Sequence, residues 1–380
     1  MKCLWFCNLV PCKLAGFENL LIEVGRCLRE QGDRLVIAWP GTPIPALASA
    51  LESTGTEWRN MPGWTDDRGS AHPWRFTRRA ISLVRTEQPD VAIVHFGNEL
   101  PSLLAALSAR RSMRHPPRWV WQQDQQIGDP GILAAHCSRI RTLGLAFHQF
   151  VAVYEGGRES MIRRRLPADR ITVVRNGIPD VACTVQPGWL KQELGLDTDR
   201  LVAVTVGSLI PRKRLGFQLR AMAHEAMREC PLHLVIVGDG PERERLKQCA
   251  IELGISERVS FLGNRDDVRG ILAEADLLWH SAIGEGSSYA IAEAICAGLP
   301  TVITRAGAAD EQVLEGATGF VVGRDDLSGF AQHAATLAKD TATRIRFSEA
   351  ARKHWEAHFD VKRTAHEYAT LYRALAQRTD

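Results

Sequence analysis

The chain has 380 residues, and this length predicts two domains because a single hydrophobic core rarely grows beyond about 250–300 residues. With 45% hydrophobic and 24% charged residues, the composition is that of an ordinary soluble globular protein. There are 47 lysines and arginines against 44 aspartates and glutamates, so the net charge is only +3, which suits phosphate-bearing ligands and excludes a polycationic nucleic-acid-binding protein.

The first residues and the cysteines indicate a cytoplasmic protein. The apolar start of the chain is short and interrupted by Asn8, so we interpret it as a buried strand rather than a signal peptide. Nine cysteines are scattered without a Cys-x-x-Cys pair, which favours free thiols in a reducing compartment. No apolar run approaches the roughly 20 residues that a membrane-spanning helix needs.

Strand-like and helix-like segments alternate through the first half of the chain. Strands are predicted at residues 4–10, 35–39, 91–95, 119–121 and 150–153, and the stretches between them, such as residues 17–30, have a helical period. This order predicts a parallel sheet with helices on both faces. The strands are apolar almost without interruption, which fits burial on both sides.

The alternation restarts after a turn-rich stretch at residues 176–188, which we interpret as the boundary between two domains. Further strands are predicted at residues 201–206, 232–237, 259–262, 276–279, 301–304 and 320–322, with a helix at about 215–229. The last stretch, residues 348–377, is predicted to be helical with one apolar face. The predicted fold class is therefore α/β, with two parallel sheets.

Turns between a strand and the next helix carry the polar residues of interest, because open α/β sheets bind ligands there. Residues 11–18 read PCKLAGFE and place Gly16 at the head of a helix, where backbone N–H groups favour an anion. An ordinary turn explains this segment equally well. Residues 206–214 read VGSLIPRKR and place Arg212, Lys213 and Arg214 directly after a buried strand. Arginine and lysine together suit a diphosphate, although a solvated charge run is the commoner meaning of such a cluster.

A third turn, residues 261–267, reads FLGNRDD and follows another strand end. The backbone at this sheet rim can hold a nucleotide base. We interpret Asp266 and Asp267 as caps of the next helix.

The most informative segment, residues 281–300, reads SAIGEGSSYAIAEAICAGLP. It places Glu285 in a Gly/Ser loop and Glu293 in the first turns of a small apolar helix. Negative charge near a helix N-terminus is a common capping arrangement. Capping alone accounts for one glutamate but poorly for the surrounding composition. The second interpretation is hydroxyl recognition, because a carboxylate accepts two hydrogen bonds from a vicinal diol.

In this order and spacing, the segments resemble a family-four, group 1 glycosyltransferase with the GT-B fold, over nearly the whole chain. The glutamate pair with Gly286 and the trailing AGLP carries most of the likeness, and residues 174–178, 206–213, 237–241 and 261–263 add to it. The resemblance implies two Rossmann-like domains that face a cleft, with residues 1–180 on the acceptor side and residues 181–358 binding the donor. Residues 359–380 would form a helix that returns to the N-terminal domain.

The resemblance also implies roles for individual residues. Glu293 would bind the ribose diol of a nucleotide-diphosphate sugar, and Glu285 would face the transferred sugar. Arg212 and Lys213 would hold the diphosphate. The wider predicted donor site consists of Gly16, Ser208, Arg265, Gly286, Ser287, Ser288, Tyr289, Glu293 and Gln123. Such enzymes usually retain the anomeric configuration and use no metal or other cofactor, and their acceptor would be a glycan, a lipid-linked molecule or a small molecule.

Three positions depart from the family pattern. Ser208 stands where an arginine is frequent, and Ser287 with Ser288 replaces a Phe-Gly pair. The Gln-rich turn at residues 122–126 replaces a histidine, for which Gln123 would be a neutral substitute. The Gln-rich turn and the missing arginine leave open a non-catalytic GT-B module that binds nucleotide sugars. Another GT-B enzyme, such as an epimerase or a sugar phosphorylase, is a further alternative, and the pattern of Glu285 and Glu293 weighs against it.

A basic and aromatic group in the first half suggests where an acceptor binds. It consists of Trp58, Trp64, Trp74, Arg75, Arg78 and Arg79. In one interpretation, this rim touches the inner face of an anionic membrane that carries a lipid-linked acceptor. In the other, it is the solvated face of an ordinary amphipathic helix.

Overall fold

The computed structural model describes residues 1–8, 16–62, 73–95, 99–123, 144, 146–180, 186–284 and 286–378. The chain divides into two compact units, which are Met1–Pro179 with Asp360–Asp380, and Asp180–Phe359. Each unit is built on a parallel sheet, which confirms the predicted α/β class. The predicted limits of the second domain, residues 181 and 358, each lie one residue inside the second unit.

Among the described residues, the first unit contains a seven-stranded sheet in the order β3-β2-β1-β4-β5-β6-β7, with parallel pairing throughout. Its strands are β1 Lys2–Cys7, β2 Arg34–Trp39, β3 Glu57–Asn60, β4 Val91–His95, β5 Arg118–Gln123, β6 Gln149–Ala152 and β7 Ile171–Val173. Its first helices are α1 Gly16–Glu30, α2 Pro45–Ser53, α3 Pro73–Glu87, α4 Glu99–Ser112 and α5 Glu155–Arg163.

The inner strands of this sheet form because their residues are apolar almost without interruption, and such runs are buried on both faces of a parallel sheet. The side chains from Cys3 to Cys7 in β1 are all buried, and so is the whole of β4. The core on one face is aromatic, since Phe6 stacks on Trp119 at 6.0 Å and Phe147 meets Trp119 edge-on. Each such pair contributes about 0.5–1.5 kcal/mol beyond its burial.

The second unit contains a six-stranded parallel sheet in the order β10-β9-β8-β11-β12-β13. Its strands are β8 Leu201–Val206, β9 Leu232–Val237, β10 Val259–Gly263, β11 Leu277–His280, β12 Thr301–Thr304 and β13 Gly319–Val322. Its helices are α6 Trp189–Glu193, α7 Leu215–Ala223, α8 Arg243–Glu252, α9 Val268–Glu274, α10 Tyr289–Cys296, α11 Ala309–Gln312, α12 Leu327–Lys339 and α13 Thr341–His358. The core surrounds Trp279, whose ring meets Phe330 edge-on at 5.3 Å.

Helix α7 is shorter than the predicted helix at residues 215–229. It ends at Ala223 because His224 has an extended backbone and its ring nitrogen Nδ1 accepts a hydrogen bond from the amide of Ala226 at 3.2 Å. A single 3-10 turn, Glu225–Met227, follows.

The predicted C-terminal helix is in fact two helices, α13 and α14 Val361–Gln377. The break occurs at Asp360, whose carboxylate accepts the amide of Lys362 at 2.9 Å and caps α14. Helix α14 belongs to the first unit, where Tyr368 and Tyr372 meet the ring of Trp5 edge-on. The predicted apolar face is therefore divided between the two units.

Strand order locates the edge of each sheet that suits a ligand. In each sheet the order reverses beside the first strand, between β1 and β4 in the first unit and between β8 and β11 in the second. Ligands of doubly wound sheets bind beyond the carboxyl ends of the strands at such a point. In the chain, Gly16, Arg212 and Glu285 follow β1, β8 and β11 respectively, and each of these strands borders a reversal point.

Candidate functional site

The turn after β8 carries the three predicted cations, and the structure separates their roles. Arg214 has a left-handed φ of 52°, and its guanidinium donates to the Arg324 carbonyl at 2.7 Å and pairs with Asp325 at 2.6 Å. It also lies over the ring of Phe217, 5.0 Å from the centroid. Arg214 therefore anchors the turn, whereas the exposed Arg212 and half-buried Lys213 remain the residues predicted to hold a diphosphate.

A buried polar group fastens this turn to the end of β11. The hydroxyl of Ser281 lies 3.0 Å from the carbonyl of Lys213 and 3.2 Å from that of Arg214, and it can donate to either. The side-chain amide of Gln218 donates to Ser281 at 3.0 Å. Ser281 and Gln218 are each 1% exposed, so the network is shielded from water and stronger than it would be at the surface.

The same turn is joined to the segment that carries the predicted glutamates. The amide of Ile283 donates to the carbonyl of Arg212 at 2.9 Å. Glu285 itself lies outside the described residues. Glu293 is half-buried in the second turn of α10. The structure thus brings the predicted diphosphate turn and the start of the glutamate segment together on one edge of the sheet.

The beginning of α10 is held by a residue that sequence reasoning missed. The side-chain amide of Gln312 accepts from the Ser288 N–H at 2.8 Å and donates to the Ser288 carbonyl at 2.9 Å. Gln312 is 2% exposed and Ser288 4%. No spacing rule marks Gln312, because it follows Asp310 and Glu311 in what reads as a polar surface turn. This clamp fixes the backbone between Gly286, which is buried, and Tyr289, which begins α10.

Two glycines let the loops after β8 and β9 touch backbone to backbone. A Cβ at Gly238, whose φ is 131°, would lie 2.1 Å from the Gly207 carbonyl oxygen, and one at Gly240 would lie 2.5 Å from that of Leu209. The amide of Leu209 donates to the Asp239 carbonyl at 2.9 Å across this contact. The Gly-Asp-Gly sequence therefore serves close loop packing, and it positions the exposed Ser208 at the carboxyl end of β8.

Arg265, predicted to contact the donor, is engaged by two carboxylates. Its guanidinium pairs with Glu193 at 2.7 Å and with Asp267 at 2.7 Å, and it lies over Trp189. The hydrogen bond to Asp267, and to a smaller extent the one to Glu193, raises the pKa of Arg265 above its ordinary value. The interpretation of Asp267 as a helix cap was wrong, because its carboxylate bonds Arg265 and makes no cap to α9.

In the first unit, Gly16 is the first residue of α1 and is buried. The next side chain, Phe17, stacks on His95 at 4.3 Å, and His95 stacks on Trp5 at 5.7 Å. His95 ends β4 and is 1% exposed, and burial lowers its pKa to about 3, so the ring is neutral. Sequence reasoning missed His95, which packs against the first turn of α1 and so positions the amide of Gly16.

The Gln-rich turn is described only at its beginning. Gln122 is a buried residue of β5 and lies in register with His95 on β4. Gln123 is the last residue of β5, and residues 124–126 lie outside the described residues, as does the side chain of Gln123. Its proposed replacement of a histidine stays a prediction.

Two family profiles match the chain, one over each half. The profile of glycosyltransferase family 4 matches residues 14–181, and that of the group 1 glycosyl transferases matches residues 190–354. A curated relative, N-acetyl-alpha-D-glucosaminyl L-malate synthase of Bacillus anthracis, is 31% identical over 183 residues, which are 48% of either chain. The chain thus spans about half the length of the curated relatives it matches.

Solved structures share the fold over the whole chain. HepE of Anabaena, in a complex with UDP, superposes with a TM-score of 0.78 over 98% of this chain and 100% of its own, at 21% identity. A glycosyltransferase of Rickettsia africae gives a TM-score of 0.81 over 100% and 99% of the two chains, at 16% identity. At these identities the likeness establishes the fold. The chain belongs to the family-four, group 1 glycosyltransferases, and its fold is GT-B.

Proposed function

We propose that the protein is a retaining glycosyltransferase that moves a sugar from a nucleotide-diphosphate donor to an acceptor without a metal ion or another cofactor. One observation carries the proposal. The hydrogen bond from Ile283 to the Arg212 carbonyl joins the Arg-Lys turn to the segment with Glu285 and Glu293, at the edge of the sheet where nucleotides bind. Support also comes from HepE, which was solved with UDP and with UDP-glucose.

In the proposed sugar transfer, each group of residues at this edge of the sheet has a separate role. Cleavage of the sugar–phosphate bond builds negative charge on the leaving diphosphate, which the cations of Arg212 and Lys213 stabilise where it develops. Glu293 binds the two ribose hydroxyls, and Glu285 orients the transferred sugar. In the retaining mechanism, the leaving phosphate takes the acceptor proton on the same face of the sugar. Gln312 and Ser281 act by positioning, because they hold the backbone of these two segments.

We propose further that the acceptor is carried by the cytoplasmic face of an anionic membrane. Trp74 on α3 is 69% exposed, and Arg75, Arg78 and Arg79 on the same helix are exposed beside it. Such a helix lies in a membrane interface with its tryptophan inserted and its arginines on the headgroups. Trp58 is half-buried on the edge strand β3, and Trp64 lies outside the described residues. Within the described part of the chain, no helix is long and apolar enough to cross a membrane.

The transferase proposal is tested by donor binding and turnover. UDP-, GDP-, ADP- and dTDP-sugars are compared by thermal shift, and the donor that binds is then assayed for hydrolysis and transfer, with and without EDTA. We expect Glu285→Ala to abolish turnover, and the surface variant Glu244→Ala, whose residue forms an exposed pair with Lys247, to keep it. Turnover by no donor, in a folded protein, would contradict the proposal, and binding without turnover would favour the binding-module alternative.

The membrane proposal has its own test. Co-sedimentation with phosphatidylglycerol vesicles should be salt-sensitive and should weaken at least fivefold in Trp74→Ala with Arg78→Gln. Equal sedimentation of the native protein and this variant would refute it.

A further inference from the structure

An arginine-rich cavity of about 910 Å³ lies in the first unit, on the edge of the sheet opposite to Gly16 and His95. Its wall combines the starts of β4 and β5 with the ends of α3, α4 and α14. The charged side chains that line it are five arginines and one acid, namely Arg85, Arg110, Arg114, Arg118, Arg378 and Asp90. Strands begin and helices end at this edge, so among the described elements no helix N-terminus faces the cavity.

The ion pairs of the described residues leave out three of these five arginines. Within the part of the chain that the structure describes, Arg85, Arg110 and Arg114 form no ion pair, and Arg118 donates to the backbone carbonyl of Arg378. Asp90 accepts the backbone amide of Lys2 at 2.7 Å. Among the described residues, the wall therefore presents several guanidinium groups and one carboxylate, that of Asp90.

A simpler explanation is that the arginines offset the negative ends of three helices. Each helix end carries about −0.5 elementary charge, so three contribute about −1.5. Together with Asp90, this leaves an excess of about +2.5 from the described residues that line the cavity. The whole chain has a net charge of only +3, so the surface is not basic throughout and the positive charge is concentrated at this cavity. Helix ends alone therefore do not account for the cluster.

We propose that this cavity is a binding site for a phosphate-bearing ligand. It is distinct from the site proposed above for sugar transfer, which contains Arg212, Lys213 and Glu293 and is called the transfer site below. Its volume lies within the range of about 300–1,000 Å³ that small-molecule sites occupy. Arginine forks match phosphate oxygens in pairs, and the Pro116-Pro117 stretch in the wall limits the motion of the loop between α4 and β5. At the rim, Gln88 holds a left-handed φ of 45°, a conformation that costs a residue other than glycine about 1–3 kcal/mol.

The ligand chemistry is a phosphate ester or diphosphate, which a soluble metabolite or a lipid headgroup can supply. Hydrogen–deuterium exchange of the full chain separates this cavity from the transfer site by position. We expect sodium pyrophosphate or phosphatidylglycerol vesicles to slow exchange at least twofold in peptides covering residues 106–119. Protection by pyrophosphate assigns a soluble ligand, and protection by these vesicles but not by phosphatidylcholine vesicles assigns a headgroup.

A matched pair of variants makes the test specific. Arg110→Gln with Arg114→Gln should abolish the protection at residues 106–119. Arg220→Gln with Arg228→Gln, which removes two exposed arginines of the second unit, should preserve it. All four side chains are exposed, so neither variant disturbs the core. Absence of protection with both probes, or protection that survives the loss of Arg110 and Arg114, would overturn the proposal.

Discussion

Replacing Gln312 by methionine tests whether one buried amide group fixes the start of α10. Methionine nearly keeps the length and volume of the side chain but removes both hydrogen bonds to Ser288. The Ser288 carbonyl still accepts the amide of Ala292 at 3.1 Å, so the group left unsatisfied is the Ser288 N–H. An orphaned buried donor costs about 1–3 kcal/mol, and the second lost bond adds about 0.5–1.5 kcal/mol.

We therefore expect Gln312→Met to lower the free energy of unfolding by about 2–3 kcal/mol and the melting temperature by about 5–10 °C. Urea denaturation and calorimetry measure the two quantities. Gln332→Met is the matched control, because Gln332 is exposed and its side-chain amide donates to the exposed hydroxyl of Ser328 at 3.1 Å. Its effect should stay below about 0.5 kcal/mol. Gln312→Glu should be destabilised at pH 7, because a carboxylate accepts from the Ser288 N–H but repels the Ser288 carbonyl.

Donor use supplies the functional half of this test. Ser288 lies between Glu285 and Glu293, so a loosened start of α10 should lower kcat/KM for the donor by about tenfold, which corresponds to about 1.4 kcal/mol of lost transition-state binding. The reasoning is refuted if Gln312→Met unfolds like Gln332→Met. It is also refuted if stability falls while kcat/KM stays at the native value.

Three further predictions concern other parts of the molecule. Lys213→Ala should lower kcat by about 10²–10³ in a transfer assay, whereas Lys247→Ala, on the surface of α8, should leave kcat unchanged. Similar rates for the two variants would show that Lys213 has no part in the mechanism. Gly240→Ala should destabilise the second unit by several kcal/mol, because the added Cβ would collide with the backbone of Leu209. Gly216→Ala should be neutral or stabilising, because the nearest atom to its added Cβ would be 3.7 Å away. Equal melting temperatures of the two variants would contradict the close loop contact. His95 has a folded pKa of about 3 against about 6.5 in the unfolded chain, so the unfolded state binds more protons between these values and stability is lost as pH falls. At pH 5 this loss is about 2 kcal/mol, and His95→Phe, which keeps the ring stacking, should remove it from a denaturation series run between pH 7 and pH 5.

The fold was predictable because its strands are long apolar runs with turn residues between them. The strands Val91–His95, Leu201–Val206, Leu232–Val237 and Thr301–Thr304 have the predicted bounds. Strand β3 was missed because it lies at the edge of the sheet and reads EWRN, a polar sequence without a buried side chain. An edge strand pairs on one side only, so its sequence carries little of the signal that marks the inner strands.

The site was predictable as a set of turns but not as a set of contacts. Sequence placed Arg212, Lys213 and Arg214 together, yet the partner of Arg214 is Asp325, 111 residues away. Arg265 is likewise held by Glu193, 72 residues away. Such pairings depend on which loops the folded sheet brings side by side, and local sequence does not encode them. Gln312 escaped notice for the same reason, because its two bonds reach 24 residues back to Ser288.

The position of α14 has a consequence for the order in which the protein can be made. The chain leaves the first unit at Pro179 and rejoins it at Asp360, where the amide of Val361 donates to the Ile178 carbonyl at 3.0 Å. The second unit is thus an uninterrupted insertion, and it can fold while the last helix is still being synthesised. The first unit must wait for Tyr368 and Tyr372 to cover Trp5, so the half of the protein that is translated first is completed last.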